Sequence, residues 1–491
     1  MKTNVYFTSQ WGLVLAGLGM AVGTGNLWRF PRIAAQNGGG SFLIPWLIFL
    51  FAWSIPLLVA EFGLGRRARR GPIGAFVCLV GERCAWMGGF VVVTSVMIMF
   101  YYSVVTGWTL KYIFVAASGT LTEVDPAAYW TTYSASIWQP ALFHVVAISV
   151  AGLVVARGIV HGIERANRVL IPALFVLLLV AVVRTMTLPG ASEGFAFLFI
   201  PDLSSLTDYR VWLEALTQSA WSTGAGWGLI LSYAVYVRDS EDIVKNATMI
   251  GIGNNVASIL AAMAILPAAF ALLPTEAAQD AMAAGNVGLT FIWLPQLFNR
   301  IPAGEVFLTV FFLALFCAAL SSLIAMVELA ARALMDAGLS RGSAVRIVVA
   351  VAIVLGLPSA LSLQVFENQD WVWGLALMIS GLLIAVAAIR CGIDSFRPEF
   401  VPTDIKRRWR LDKICMGVLR YLVPVEFAVM FGWWMYQAAV VYDPEGWWNP
   451  VRVYSVGTCL AQWGIALLVL IACNRRLGAS SNLTRHATLE A

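Results

Sequence analysis

The chain has 491 residues, of which 60% are hydrophobic and only 12% are charged, and its mean hydropathy is +0.80. Soluble globular domains carry about 25% charged residues, so this composition excludes a soluble globule and predicts an all-α polytopic membrane protein. The lysines and arginines behind the net charge of +5 are scattered over the connections between apolar stretches. That distribution predicts contact with the lipid bilayer and argues against a nucleic-acid partner.

Apolar stretches long enough to cross a bilayer, which takes roughly 20 residues each, occur about twelve times along the chain. With the N-terminus inside, most of the 32 lysines and arginines fall in inside connections. This bias predicts a multi-pass membrane protein with both termini in the cytoplasm. We expect the membrane to be a bacterial inner membrane. We place the spans at residues 11–35, 41–64, 87–116, 140–156, 167–188, 211–236, 246–273, 303–334, 344–361, 371–391, 415–440 and 453–473.

Two of these spans are interrupted by glycine. Gly17, Gly19, Gly23 and Gly25 fall within nine residues of the first span, and the sixth span contains the sequence AWSTGAGW at 220–227. A glycine costs about 1 kcal/mol relative to alanine inside a helix, and backbone groups released within hydrocarbon need other partners. Two broken spans at corresponding places in two halves of a membrane chain predict the central binding site of a transporter.

Spans 1 to 5 and spans 6 to 10 each open with a broken span, at residues of about 11–188 and 211–391. Because each unit has an odd number of spans, the two units have opposite orientations, which predicts a 5+5 inverted repeat. Two extra spans at 415–473 lie outside the repeat. We expect a single membrane domain, with spans 1 to 6 in residues 1–237 and spans 7 to 12 in residues 238–491.

Polar residues interrupt spans 7 and 8, as Asn254 and Asn255 in one and Ser321 and Ser322 in the other. Buried amides and hydroxyls cost free energy unless they are bonded. Asn254 alone is compatible with a simple hydrogen bond between helices. Together with Asn26 beside the first break, it favours a ligand role.

Residues 23–31 read GTGNLWRFP and residues 36–45 read QNGGGSFLIP. With the sequence YAVYVR at 233–238, Asn254, the serine pair at 321–322 and Asp370, these motifs closely resemble the neurotransmitter:sodium symporter family over spans 1 to 10. The resemblance implies the fold of the bacterial leucine transporter. It also implies secondary active uptake driven by sodium.

The family's two sodium sites can be carried onto matching residues. By resemblance, the first ion is held by Ala21, Asn26, Ser222 and Asn254 together with the substrate carboxylate. The second is held by carbonyls of Gly19, Val22 and Ala318 and by hydroxyls of Ser321 and Ser322. All are oxygen ligands, as a hard cation requires.

The resemblance also implies an amino-acid site. A carboxylate would rest on the N–H groups of Thr24 and Gly25 and the Tyr102 hydroxyl, and an amine on carbonyls near Ala21, Trp221 and Ser222. Position 23 is glycine where members that carry biogenic amines have aspartate, so the ligand must bring its own carboxylate. An apolar or aromatic side chain is expected, and its size stays open. The implied side-chain pocket is Ile98, Trp221, Gly224, Trp227, Ser322 and Met326.

Gates and a chloride site complete what the resemblance implies. Arg29 and Asp370 match the outer charge pair, and Tyr236 and Asp336 match the inner gate. The usual arginine and tryptophan of the N-terminal segment are replaced by Asn4 and Phe7, with Lys2 as a substitute partner. Chloride dependence stays open: the site residues of chloride-binding members are present, but Trp46 replaces a tyrosine. Those residues are Gln218, Ser222, Asn254 and Ser258.

The sequence therefore predicts a sodium-coupled amino-acid symporter. A membrane-embedded enzyme is disfavoured because the three histidines of the chain include none near a nucleophile in the same layer. A sensor of the same fold, which binds an amino acid with sodium but does not transport it, stays open because of the atypical inner gate. The individual amino acid and the oligomeric state also stay open.

Overall fold

The computed structural model describes residues 6–273, 283–392 and 414–479, and those residues form helices and connections without a strand. Nine of the helices below (α3, α5, α6, α7 and α11 to α15) are long and apolar enough to cross a membrane. The principal helices are α1 (Gln10–Ala21), α2 (Phe30–Gln36), α3 (Gly40–Ala68), α4 (Pro72–Leu79), α5 (Glu82–Ala117), α6 (Trp138–Ala156), α7 (Ile159–Met186), α8 (Ala191–Phe199), α9 (Tyr209–Ser222), α10 (Leu229–Ala234), α11 (Ile243–Leu272), α12 (Gly304–Asp336), α13 (Arg341–Leu361), α14 (Leu363–Cys391), α15 (Ile414–Tyr442) and α16 (Val456–Ala472).

Both predicted breaks are present. α1 ends at Ala21, Val22 is extended, and the chain resumes as a π-helical turn over Gly25–Arg29 that leads into α2. α9 ends at Ser222, and three glycines with φ of 68°, 89° and 76° precede α10. These are Gly224, Gly226 and Gly228, and only glycine adopts such angles without strain. The predicted all-α membrane fold with broken first and sixth spans is confirmed.

The broken halves lie against the longest helices. α5 and α12 pack along each other through the centre of the bundle, and α1 packs on α7, α11 and α12. α12 presents small residues to its neighbours, including the fully buried Ala318, Ala319 and Ala325. Small residues allow close helix approach in a membrane protein, where apolar surface gives helices little reason to associate. α12 therefore lies at the centre of the fold, in contact with both α1 and α5.

We call the side of residues 36–40 and 189–209 the outer end, following the predicted orientation, and the opposite side the inner end. At the outer end α8 packs on α11. Gly39 has a φ of 55°, and a Cβ there would lie 2.2 Å from the Phe197 carbonyl oxygen. Ser41 Oγ donates to the Asp202 carbonyl oxygen at 2.9 Å. The outer connection is thus fixed to the turn that follows the first span.

Hydropathy placed the start of span 10 incorrectly. The predicted span begins at residue 371, whereas α14 begins at Leu363, with the Ser362 hydroxyl accepting from the Val365 amide. Asp370 therefore lies inside the helix. Some polar residues of the first turns pack against other helices: Asn368 Nδ2, for example, donates to Thr458 Oγ1 at 3.2 Å. A hydropathy window cannot distinguish such a face from a loop.

Candidate functional site

A cavity of about 600 Å³ lies between the two breaks and extends toward the outer end. The twelve residues that the resemblance implies for substrate binding all line this one cavity. They come from α1 and its break, α5, α9 and its break, and α12. They are Ala21, Gly23, Thr24, Gly25, Ile98, Tyr102, Trp221, Ser222, Gly224, Trp227, Ser322 and Met326.

One wall of the cavity is the backbone of the first break. The Thr24 amide donates to Tyr102 Oη at 3.0 Å, and the space beside Gly25 is open. A Cβ at Gly23 would lie 2.8 Å from Tyr102 Oη and 3.2 Å from Ser322 Oγ, so any larger residue must displace one of them. This wall offers N–H and O–H donors at the start of a helical turn, where a partial positive charge favours anions.

The other end of the cavity is apolar. Ile98 and Met326 are each 1% exposed, and the indole of Trp227 lies beside them in the lining. A Cβ at Gly224 would lie 3.1 Å from Met20 Sδ, so a larger residue at position 224 would press on the Met20 side chain. The arrangement can hold an apolar side chain, because each contact replaces water with carbon or sulfur.

Four residues implied for the first sodium ion meet beside the cavity. Asn26 Nδ2 lies 3.0 Å from Ser222 Oγ and 2.9 Å from Asn254 Oδ1. Asn254 Oδ1 also lies 3.1 Å from the Ala21 carbonyl oxygen and 2.9 Å from the Ser222 carbonyl oxygen. Three acceptors that face one another repel unless a cation or a turned-over amide nitrogen relieves the contact. This oxygen cluster fits a hard cation such as sodium.

A second oxygen cluster joins α12 to the end of α1. Ser322 Oγ lies 3.2 Å from the Gly19 carbonyl oxygen and 3.3 Å from that of Val22. Ser321 Oγ donates to the Ala318 carbonyl oxygen at 3.0 Å. The five residues implied for the second ion therefore lie along one seam, and their neutral oxygens also fit sodium.

Polar groups of two residues considered for a chloride site lack partners among the described residues. These are the indole N–H of Trp46 and both amide atoms of Gln218, all buried. Ser258 Oγ accepts from Asn26 Nδ2 at 2.8 Å. The N–H groups of Trp46 and Gln218 are buried donors of the kind that an anion satisfies, so the residues present fit chloride.

Arg29 and Asp370 line the outer part of the same cavity but form no ion pair with each other among the described residues. The Arg29 guanidinium instead stacks over the Trp221 ring at 4.9 Å from its centroid. A Cβ at Gly374 would lie 1.7 Å from that ring, so glycine on α14 makes room for the indole. The cavity is open toward the outer end.

The inner end is held by charged residues that the motifs alone did not bring together. Tyr236 Oη donates to Glu328 Oε1 at 2.8 Å, and Arg341 pairs with Glu328 at 2.6 Å. Asp336 pairs with Arg332 at 2.7 Å, and Arg332 reaches Tyr236 Oη at 3.3 Å. Tyr236 and Asp336 are thus linked through Arg332. The sequence signal that could have revealed this network is Glu328, a glutamate within an apolar span, with Arg341 shortly after that span.

The N-terminal segment closes over this network. The ring of Phe7 meets Tyr233 edge-on at 6.1 Å, and the Phe7 amide donates to the Tyr236 carbonyl oxygen at 3.2 Å. Phe7 therefore contributes packing where the resemblance leads one to expect a tryptophan. Asn4 and Lys2 lie outside the described residues.

Glu61 of α3 fixes the second break, a role that the sequence pattern did not reveal. Its carboxylate is fully buried and accepts from the Gly226 amide at 2.6 Å and the Leu231 amide at 3.3 Å. Helix breaks in a membrane need partners for the released N–H groups. The carboxylate supplies them on the α10 side of the break.

Comparison with known proteins identifies the family. The model of the sodium:neurotransmitter symporter family matches residues 5–144 and 136–477. The chain belongs to this family. An uncharacterized sodium-dependent transporter of Bacillus subtilis, YhdH, is 31% identical over 459 residues, which cover 87% of this chain and 97% of that protein. The rat sodium-dependent neutral amino acid transporter SLC6A17 is 29% identical over 292 residues, 53% of this chain and 40% of that protein.

Among solved structures, MhsT in complex with L-phenylalanine matches with a TM-score of 0.76 and 31% identity over 87% of this chain and 99% of that chain. The symporter-family resemblance read from the motifs at 23–31 and 36–45 is confirmed, and with it the membrane-transporter class. The family is one of sodium-dependent transporters and not of enzymes.

Proposed function

We propose that this symporter-family protein takes up an amino acid with an apolar or aromatic side chain, coupled to sodium, by alternating access. The observation that carries the proposal is the cavity between the two breaks. The cavity combines a wall of N–H and O–H donors at Thr24 with an apolar end, and the two oxygen clusters involve residues that line it. A zwitterion with an apolar side chain matches that arrangement.

The donor wall favours a ligand that carries its own carboxylate. Gly23 contributes no acid, and Thr24, Gly25 and Tyr102 present N–H and O–H groups to the same space. The ligand amine would meet the carbonyl oxygens of Ala21 and Ser222, next to the first oxygen cluster. A carboxylate placed beside a sodium ion in that cluster completes its shell, so each ligand raises the affinity for the other.

The apolar end supports a hydrophobic side chain. Ile98, Met326 and Trp227 offer no charged group to pair with a charged side chain. The MhsT structure contains L-phenylalanine, and SLC6A17 is named as a neutral amino acid transporter. Both relatives therefore agree with the chemistry of this wall.

We propose two sodium sites per chain, at the first and second oxygen clusters. Two ions that move down a tenfold concentration gradient and a potential of 100 mV supply about 7 kcal/mol. We also propose that chloride binds at Gln218, Ser222, Asn254 and Ser258, with the Trp46 N–H beside it. Two animal relatives, the GABA transporter ine of Drosophila melanogaster and the rat transporter XTRP3, are named as sodium- and chloride-dependent.

Alternating access requires exchange between two closures. At the outer end, Arg29 would leave the Trp221 ring and meet Asp370 over the loaded cavity. At the inner end, the links among Tyr236, Glu328 and their arginines would break to release the ligand. We place both termini and this inner network on the cytoplasmic side of the bacterial inner membrane, following the bias of lysine and arginine.

Uptake by the purified protein in proteoliposomes tests the proposal. Radiolabelled L-phenylalanine and L-leucine are offered with an inward sodium gradient, and with potassium in its place as the control. Accumulation above the equilibrium level only with sodium supports symport. Sodium-dependent binding without uptake or counterflow would assign the sensor alternative. Absence of both binding and uptake across the twenty amino acids would refute an amino-acid site.

A further inference from the structure

Two polar side chains of α7 face two glycines of α1. A Cβ at Gly12 would lie 1.9 Å from Glu164 Oε1, and a Cβ at Gly19 would lie 1.9 Å from Asn167 Oδ1. The two glycines are seven residues apart, about two helical turns, and the two polar residues are three apart, so each pair occupies one helix face. The polar face of α7 therefore lies directly on the backbone of α1.

The two polar side chains differ in how their oxygens are satisfied. Glu164 accepts from the Thr8 amide at 3.0 Å and from Arg168 at 2.6 Å. Asn167 is fully buried, and its Nδ2 donates to the Ile163 carbonyl oxygen at 2.9 Å, but its Oδ1 has no partner among the described residues. A buried acceptor without a partner is costly, and such an atom in a native structure needs an explanation.

The location of this oxygen gives the explanation. It touches Gly19, whose carbonyl oxygen belongs to the second oxygen cluster. A Cβ at Gly19 would also lie 3.1 Å from Ser321 Cβ, and Ser321 is another member of that cluster. The same point beside Gly19 is therefore close to both Asn167 Oδ1 and Ser321 Cβ, so the free amide oxygen lies against the seam of α1 and α12 next to residues of the second cluster.

We infer that Asn167 is a ligand of the second sodium ion, contributed by α7 and added to the oxygens of α1 and α12. This inference rests on the proposed sodium-coupled function. A neutral amide oxygen is suited to sodium, and ligation removes the unsatisfied acceptor. Sodium at this site would hold α1, α7 and α12 together. Its departure would release the contact of Asn167 with Gly19, while Glu164 keeps its hydrogen bond to the Thr8 amide.

Sodium binding, measured without transport, tests the inference. The full-length protein in detergent is titrated with NaCl at constant ionic strength, with KCl as balance, and thermal stability and tryptophan fluorescence are recorded. We expect Asn167→Ala to raise the half-saturating sodium concentration about tenfold, the size of effect usual when a supporting metal-site group is lost. Asn167→Asp, which keeps the oxygen, should bind sodium at least as well as the unaltered protein.

Thr185→Val is the matched control on the same helix. Thr185 is buried and its hydroxyl donates to the Ala264 carbonyl oxygen, far from the sodium clusters. We expect this variant to lose some stability and to keep its sodium affinity. If Asn167→Ala keeps it too, or if Asn167→Asp is impaired as much as Asn167→Ala, Asn167 only packs and the inference is wrong.

The same titration separates this inference from the proposed function. Asn26→Ala, which alters the first cluster, should weaken sodium binding if the proposed function holds. A sodium response that depends on Asn26 but not on Asn167 would leave the symporter proposal standing and overturn the role of Asn167. An unaltered protein with no response specific to sodium would overturn both.

Discussion

Tyr102 offers a sharp test of the proposed carboxylate site. Its hydroxyl accepts from the Thr24 amide at 3.0 Å, lines the central cavity and lies at the wall where a carboxylate would bind. Tyr102→Phe removes the hydroxyl and keeps the ring, so the shape of the cavity changes by one atom. The substitution deletes a donor to the ligand and leaves the Thr24 N–H without its acceptor.

The expected loss follows from the energies of these contacts. A hydrogen bond to a charged group contributes about 1.5–3 kcal/mol, and each 1.4 kcal/mol is a tenfold change in affinity. We therefore expect Tyr102→Phe to bind L-phenylalanine roughly 10- to 150-fold more weakly at saturating sodium. Scintillation proximity binding on purified protein measures this change directly, without a contribution from transport rate.

Tyr112 on the same helix supplies the control. Its hydroxyl is buried, and it has no hydrogen-bond partner among the described residues. Tyr112→Phe should leave the affinity for the amino acid unchanged. The reasoning is refuted if Tyr102→Phe binds like the unaltered protein, or if both variants lose affinity to the same extent.

Three further predictions concern other parts of the site. Glu61→Ala removes the acceptor of the Gly226 amide, and we expect it to lower the unfolding free energy by about 2 kcal/mol or more, seen as a lower melting temperature; an unchanged melting temperature would contradict this. Glu328→Gln weakens the contacts with Arg341 and with Tyr236, whose carbonyl oxygen accepts from the Phe7 amide. Hydrogen exchange at Phe7 and in the adjacent α1 should therefore increase, and unchanged exchange would count against an inner closure. Ser258→Glu places a fixed negative charge in the proposed chloride pocket; uptake should then persist when gluconate replaces chloride, and continued dependence on chloride would argue against the pocket.

The sequence is most informative where local chemistry is unusual. Glycines at the breaks and amides within apolar spans, such as Asn26 and Asn254, cannot be explained by lipid exposure, so their positions alone indicate a polar site inside the membrane. The motif at 23–31 then points to the family. These signals predict both breaks, and the residues implied for the substrate do line a single cavity.

The sequence is less informative where the result depends on several helices at once. Glu328 and Arg341 are separated by a connection, and only packing places them against Tyr236. Asp370 looks like part of a loop because hydropathy does not distinguish a cavity wall from solvent. Asn167 gives no signal, since one amide in span 5 acquires meaning only from the glycine that faces it.

Both halves of the second broken span are tied to α3. Glu61 accepts from the Gly226 amide on the α10 side of the break, and Ser54 Oγ donates to the Ser219 carbonyl oxygen at 3.0 Å on the α9 side. The left-handed Gly224 lies between these two hydrogen bonds. A change of angle between the two halves therefore has to break one bond to α3, and a spectroscopic probe on each half would show which one breaks when the substrate enters.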